Sequence, residues 1–360
     1  MYRYLTIIFI QFSFISYAQV AKFGNDFLRI GNNAAVISYA GAKITSFDDA
    51  SDAYLNPALL ANMKKKLSLG YTHLTYNDNL ASYDFLSIAY KASDSLFVAA
   101  SILRLSIDDI MNTINLADNQ GNFNYNNISY FSVADYALVG SIAKKIHRSA
   151  IVIGSNIKII YRNQGNFAKA YGFGIDVAAY LPIKKWNFAV IVKDATTTFS
   201  YWTYQYNMLT STTNDSLFAS NLKNSELILP SLQLAGSRRF SLSSQLDMRF
   251  ELLLNSFFDG QKHMLINSRY FNISSAFGID LRFRNVLSAR WGIADLFFSK
   301  SNFDGKNTAQ YKMSFGLGIV LKNIGFDYAF RMLTNDKQFF QHVFSSQIVD
   351  FKQFINSLST

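Results

Sequence analysis

An all-β fold, a transmembrane antiparallel β-barrel of about fourteen strands with an N-terminal plug-like segment, is what this sequence predicts. Three observations carry the prediction. From Leu67 onward, apolar and polar residues alternate with a period of two in runs of about ten residues, as expected for strands with one lipid-facing and one lumen-facing side. Ten residues at ~3.3 Å each, tilted by about 40°, span the ~25 Å apolar band of an outer-membrane barrel. The connections between runs alternate between short and long, matching periplasmic turns that oppose external loops.

The clearest alternation is in Tyr311 to Leu321, where Tyr311, Met313, Phe315, Leu317, Ile319 and Leu321 share one face and Lys312, Ser314, Gly316 and Gly318 the other. Ile324, Phe326, Tyr328, Phe330 and Met332 continue it across a Lys322-Asn323 turn that suits a tight hairpin. Asp327 and Arg331 lie on the polar face of this second strand. The same pattern places Lys158, Asp176, Asp247, Arg249, Glu251, Asp280 and Arg282 inward in four further runs. Arg or Lys at the lipid midplane would cost ~2–4 kcal/mol, so the charged side of each run belongs in the lumen. There, with Lys312, Asp327 and Arg331, these charges are expected to pair and hold a plug.

Approximate strands follow at 67–76, 81–91, 95–105, 133–143, 150–161, 170–181, 187–194, 228–238, 245–254, 271–283, 287–298, 310–321, 324–333 and 342–351. Short links such as Ala92–Asp94, Pro182–Trp186 and Arg284–Val286 alternate with long ones, up to Ser106–Ser132 and Ala195–Leu227. The short links mark the periplasmic end.

Composition agrees. The 360 residues include 33 Phe and 21 Tyr, and charged residues make up 16% against the ~25% usual in soluble domains. No run after the first twenty residues is apolar for the ~18 positions of a spanning helix. Cysteine is absent, which removes disulfides and thiolate chemistry. The formal charge of +10 resides mostly in short turns rather than on one aromatic-studded face, which argues against nucleic acid as a partner.

Residues 1–18 read as a secretory signal: Arg3, an apolar Leu5 to Ile15 stretch, and a Ser16-Tyr17-Ala18 cleavage site. Residues 19–66 form a periplasmic or plug segment, 67–351 the barrel and 352–360 a tail.

His73, His147, His263 and His342 show no metal-binding spacing, and no nucleophile elbow, Walker loop or dinucleotide fingerprint appears. No enzymatic activity, cofactor or metal is expected. Gly172, Gly174, Gly316 and Gly318 lie inside strands, where small residues accommodate lumen packing. Asp48 and Asp49 are too few for a cation site and suit hydrogen bonding within a plug. Asn56-Pro57 is a turn that ends the plug and directs the chain into the first strand. In the long loops Asn122, Tyr125, Asn126 and Tyr130, then Tyr201, Trp202, Tyr204 and Tyr206, join aromatic anchors to hydrogen-bonding groups, as recognition surfaces do.

The order Phe27-Leu28-Arg29-Ile30-Gly31, Ala40-Gly41-Ala42, Asp48-Asp49-Ala50, Asn56-Pro57-Ala58-Leu59-Leu60 resembles the PorV/PorQ family of Bacteroidetes outer-membrane proteins, a branch similar to the FadL-type fourteen-strand barrels. The resemblance is concentrated in residues 27–61, with Asp48, Asp49, Asn56, Pro57 and Ala58 as its motif positions. The chain departs from the family's Gly-rich, Met-containing stretch at Asn33 to Gly41, and nine residues follow Phe351. The resemblance implies a bacterial outer-membrane location and a component or accessory of type IX secretion. Its partners would be outer-membrane lipid and secretion-machinery or cargo proteins. The alternative it leaves open is a FadL-like channel with a hydrophobic small molecule in its lumen.

Overall fold

A computed structural model describes residues 24–76, 80–114, 116–117, 120–204, 225–258, 260, 264–268, 270–300, 307–321, 324–332 and 340–348. The signal sequence, Tyr206, His263, the Lys322-Asn323 turn, Phe351 and the 352–360 tail lie outside them.

The strands are β1 (Leu67–Tyr76), β2 (Ala81–Lys91), β3 (Leu96–Asn112), β4 (Ser129–Lys145), β5 (Val152–Gln164), β6 (Ala168–Ile183), β7 (Trp186–Lys193), β8 (Thr198–Tyr204), β9 (Ser225–Ile228), β10 (Ser231–Ser241), β11 (Leu246–Phe257), β12 (Ile266–Asn267), β13 (Asn272–Phe283), β14 (Leu287–Lys300), β15 (Asn307–Leu321), β16 (Ile324–Met332) and β17 (Phe340–Ile348). Fourteen of them close an antiparallel barrel, because β1 pairs with both β2 and β17. Closure leaves no strand edge in lipid. The remaining three are excursions at the long-loop end: β7 pairs directly with β10 and β11 with β13, while β8 pairs with β6 and carries β9, and β12 pairs with β13.

Sequence periodicity located all fourteen barrel strands, and β1 and β2 have the expected bounds. Three differences stand out. β3 and β4 run on as a hairpin to Asn112 and from Ser129, well past the expected ends at 105 and 133, through a bulge between Ile107 and Ile110. Tyr201, Trp202 and Tyr204 belong to β8 and not to a loop; the edge left by β6 beyond the barrel wall captures this strand. The closing strand is described over Phe340–Ile348, which reaches two residues before the expected start at 342.

Burial follows the predicted parity. In β5, Val152, Gly154, Asn156, Lys158 and Ile160 face the interior, while Ile153, Ile157 and Ile159 face outward. At the short-turn end, Arg238 lies over the rings of Trp186 and Phe240, Arg284 over Phe283 and Lys66 over Tyr90. Cations capping outward aromatics mark a membrane interface.

The interior is occupied by the chain's own N-terminal segment. From Gly24 to Met63 it makes a 3-10 turn (Asp26–Arg29), a helical turn (Ala34–Ser38), a second (Asp52–Leu55) and a 3-10 stretch (Pro57–Asn62). The Ala34–Ser38 turn packs on β14–β17 and the Pro57–Asn62 stretch on β3–β6, so the segment reaches opposite walls. Tyr39, Ala42, Ala50, Ala53, Ala58 and Leu60 are completely buried. Inward glycines permit this close approach. A Cβ on Gly154 would lie 2.5 Å from the Ala58 nitrogen, and one on Gly292 would overlap the Tyr39 carbonyl carbon.

Candidate functional site

The plug is fastened at three places, each built from a local rule. Asn56 precedes a proline and is therefore extended (φ −139°, ψ 97°), which makes it the N-cap of the Pro57–Asn62 stretch. Its side-chain oxygen accepts from the Ala58 amide at 3.1 Å, and its Nδ2 donates to the Ile44 carbonyl at 2.8 Å. The Asn-Pro motif thus ties two parts of the plug together and does not end it: the segment continues through Pro57–Asn62, packed on β3–β6, before β1 begins.

The first fastening to the wall lies against β10–β14. Lys43, fully buried, donates to Asp52 at 2.7 Å and lies 3.4 Å from Asp48. Asp48 in turn accepts from Arg282 of β13 at 3.3 Å, and Arg282 reaches Asp280 at 3.2 Å. Arg290 of β14 extends the chain of charges to Asp280, at 3.6 Å, and to Asp327 of β16. Beside it, the Glu251 carboxylate accepts from the backbone amides of Ile44 (2.7 Å) and Thr45 (2.6 Å), and the Thr45 hydroxyl donates to Ser237 (2.6 Å).

The second fastening is against β5–β7. The Tyr54 carbonyl, near the end of the Asp52–Leu55 turn, accepts from Asn156 at 2.9 Å and Lys193 at 3.0 Å. Lys158 holds Asp176 at 2.7 Å and also pairs with Asp194, while Lys193 reaches Asp176 at 3.3 Å. Cations at the C-terminal end of a helical turn satisfy its otherwise unpaired carbonyls. A third, smaller tie joins Arg331 to the Ile30 carbonyl at 3.3 Å and Ser345 to the Ala34 amide at 3.2 Å.

The plug carboxylates are electrostatically unlike. Burial works against ionisation of Asp48, yet Lys43 and Arg282 outweigh it and hold this carboxyl well below the usual range. Burial, reinforced by the neighbouring Asp52, pushes Asp49 up to about 7. Asp49 makes no ion pair among the described residues and accepts from the Ser51 amide at 2.6 Å. Lys43 is raised: burial opposes its charge, but Asp48 and Asp52 override it.

The expected lumen charges are therefore gathered into networks in nearly every case, although most pair with neighbouring wall strands and only some reach the plug. Lys312 pairs with Asp295 at 2.8 Å nearer the outer end. Asp247 pairs with Arg239 at the short-turn end. Arg249 is not brought into an ion pair among the described residues. Lys43, Asp52, Lys193, Asp194 and Arg290 were not singled out from sequence. Arg290 alternates within its strand like the others and was legible by parity, whereas Lys43 and Asp52 sit in a segment without a period.

Trp202 is buried beneath Arg162, which stacks over its ring, and so contributes no exposed anchor. Tyr125 and Tyr130 remain exposed on the β3–β4 hairpin. Among the described residues no three His, Cys, Asp or Glu side chains converge as metal ligands.

No family model matches the chain, and no curated protein matches it. Solved structures do. The toluene transporter TbuX of Ralstonia pickettii is 12% identical, with a TM-score of 0.52 over 88% of this chain and 98% of the transporter. The toluene transporter TodX of Pseudomonas putida is 10% identical, with a TM-score of 0.51 over 92% of this chain and 100% of that one. At these identities the likeness is one of fold alone: a closed, fourteen-strand antiparallel barrel.

Proposed function

We propose that the chain is a non-enzymatic outer-membrane barrel that handles exported proteins at the cell surface, as a component of or accessory to type IX secretion. The observation that carries this reading is the fastened plug. The segment that bears the PorV/PorQ-like motif is the one bound to both walls through Glu251, Arg282, Asn156 and Lys193. A lumen filled in this way favours work done on the barrel's outer surface. The β3–β4 hairpin supplies such a surface, with Met111, Phe123, Tyr125 and Tyr130 exposed beyond the apolar band.

A second reading, passage of a hydrophobic small molecule, is favoured by the fold shared with two toluene transporters. Comparison of the secreted proteome of a deletion strain with that of its parent separates the two. Cargo accumulating in the periplasm, and restored by the full chain but not by one whose hairpin is cut back to Ser106 and Ser132, is the expected result. Normal secretion together with impaired uptake of an aromatic hydrocarbon would transfer the assignment to the channel.

A further inference from the structure

A barrel seen from the lipid should be convex, yet the outer wall across β13–β17 and β1 contains a hollow of about 860 Å³. It exists because the outward residues Ala289 and Ser346 are small, among Leu281, Leu317, Phe326 and Phe344. Its size falls within the ~300–1,000 Å³ of small-molecule sites, and its lining is apolar except at one end.

That end is polar in an unusual place. Leu281, Ala289, Leu317, Tyr328, Phe344, His73, Asp84 and Arg104 are successive cross-strand neighbours, so one line on the lipid-facing wall runs from the hollow into a charged cluster. Asp84 accepts from the Tyr71 hydroxyl at 2.9 Å and lies 2.8 Å from the His73 Nδ1, on the outside of the barrel. Arg104 has no ion pair among the described residues.

The line also climbs. At roughly 2.5 Å of height per tilted residue, Ala289 lies about 5 Å above the short-turn end of its strand, His73 about 15 Å and Arg104 about 20 Å. A charge in that position is costly against hydrocarbon unless something polar covers it. An amphiphile lying along this line has the matching polarity, with its head at the charged cluster and its tails in the hollow.

We propose that this line is a binding site for one zwitterionic phospholipid, with its phosphate on Arg104, its primary ammonium on Asp84 and its acyl chains in the hollow. The opposite charges on adjacent strands select the headgroup. An anionic lipid meets Asp84 unfavourably, and a quaternary ammonium offers Asp84 no N–H donor.

The test is native mass spectrometry of the detergent-purified full-length barrel, offered equal amounts of phosphatidylethanolamine, phosphatidylglycerol and phosphatidylcholine. One phosphatidylethanolamine should be retained about fivefold over either competitor. R104Q and D84N should each abolish that preference. A289W, which fills the hollow, should reduce retention of all three lipids. Heat-modifiable migration confirms that each variant is folded. Equal retention of the three lipids by the unmodified protein, or an unchanged preference in folded R104Q and D84N, would overturn the site. A dimer in place of a lipid adduct would do the same and assign the face to a second copy.

Discussion

Replacing Lys43 by Met leaves the barrel folded but loosens its plug. Lys43 is the buried cation shared by Asp48 and Asp52, 2.7 Å from the latter. Its removal strands Asp52 without a cation, and breaking a buried pair from one side costs about 3–5 kcal/mol. Asp48 keeps Arg282, so the loss falls on the plug while the wall network persists. In planar bilayers the variant should conduct where the parent does not, and residues 43–56 should become protease-sensitive while heat-modifiable migration is retained. Adding Asp52→Asn should restore much of the seal, because a neutral amide no longer requires the missing charge. Parental conductance and protection in K43M would remove Lys43 from the fastening.

Gly292→Val should act more severely, through shape alone. The new side chain would meet the Tyr39 carbonyl carbon and the Ala40 nitrogen, which are backbone atoms with no rotamer to change. Overpacking costs about 1–3 kcal/mol where neighbours can yield, and more where they cannot. The plug should be displaced from β14 while β14 keeps its pairing to β13 and β15, since valine favours strands. Hydrogen exchange should report this as lost protection in residues 34–42 with protection of the flanking strands unchanged. Retained protection at 34–42 would mean that the close approach of Tyr39 to Gly292 is wrong.

Both expectations rest on the plug, the part of the molecule that was least legible in sequence. The barrel was legible because a wall between lipid and lumen imposes a period of two on every strand, and a one-residue slip would turn Lys158 or Asp280 to the lipid. The same parity identified the charges on the wall. It could not identify Lys43 or Asp52, because Gly24–Met63 is built of short turns and no face repeats long enough to be read. The strand β8 was missed for a different reason: Thr198–Tyr204 pairs only because β6 continues past the barrel wall, a tertiary circumstance with no local signal. Residue types marked the Asn56-Pro57 turn, but its bond to the Ile44 carbonyl depends on where the plug folds back.

The central claim is that residues 24–63 lie inside the barrel. It is tested most directly by a disulfide between Thr45→Cys and Ser237→Cys, in a chain with no cysteine of its own. The two native hydroxyls are 2.6 Å apart, one on the plug and one on the inward face of β10. Oxidation of intact cells should give a monomeric, faster-migrating band that reverts on reduction, with neither thiol labelled by an aqueous maleimide. Two freely labelled thiols and no band shift would place the N-terminal segment outside the lumen.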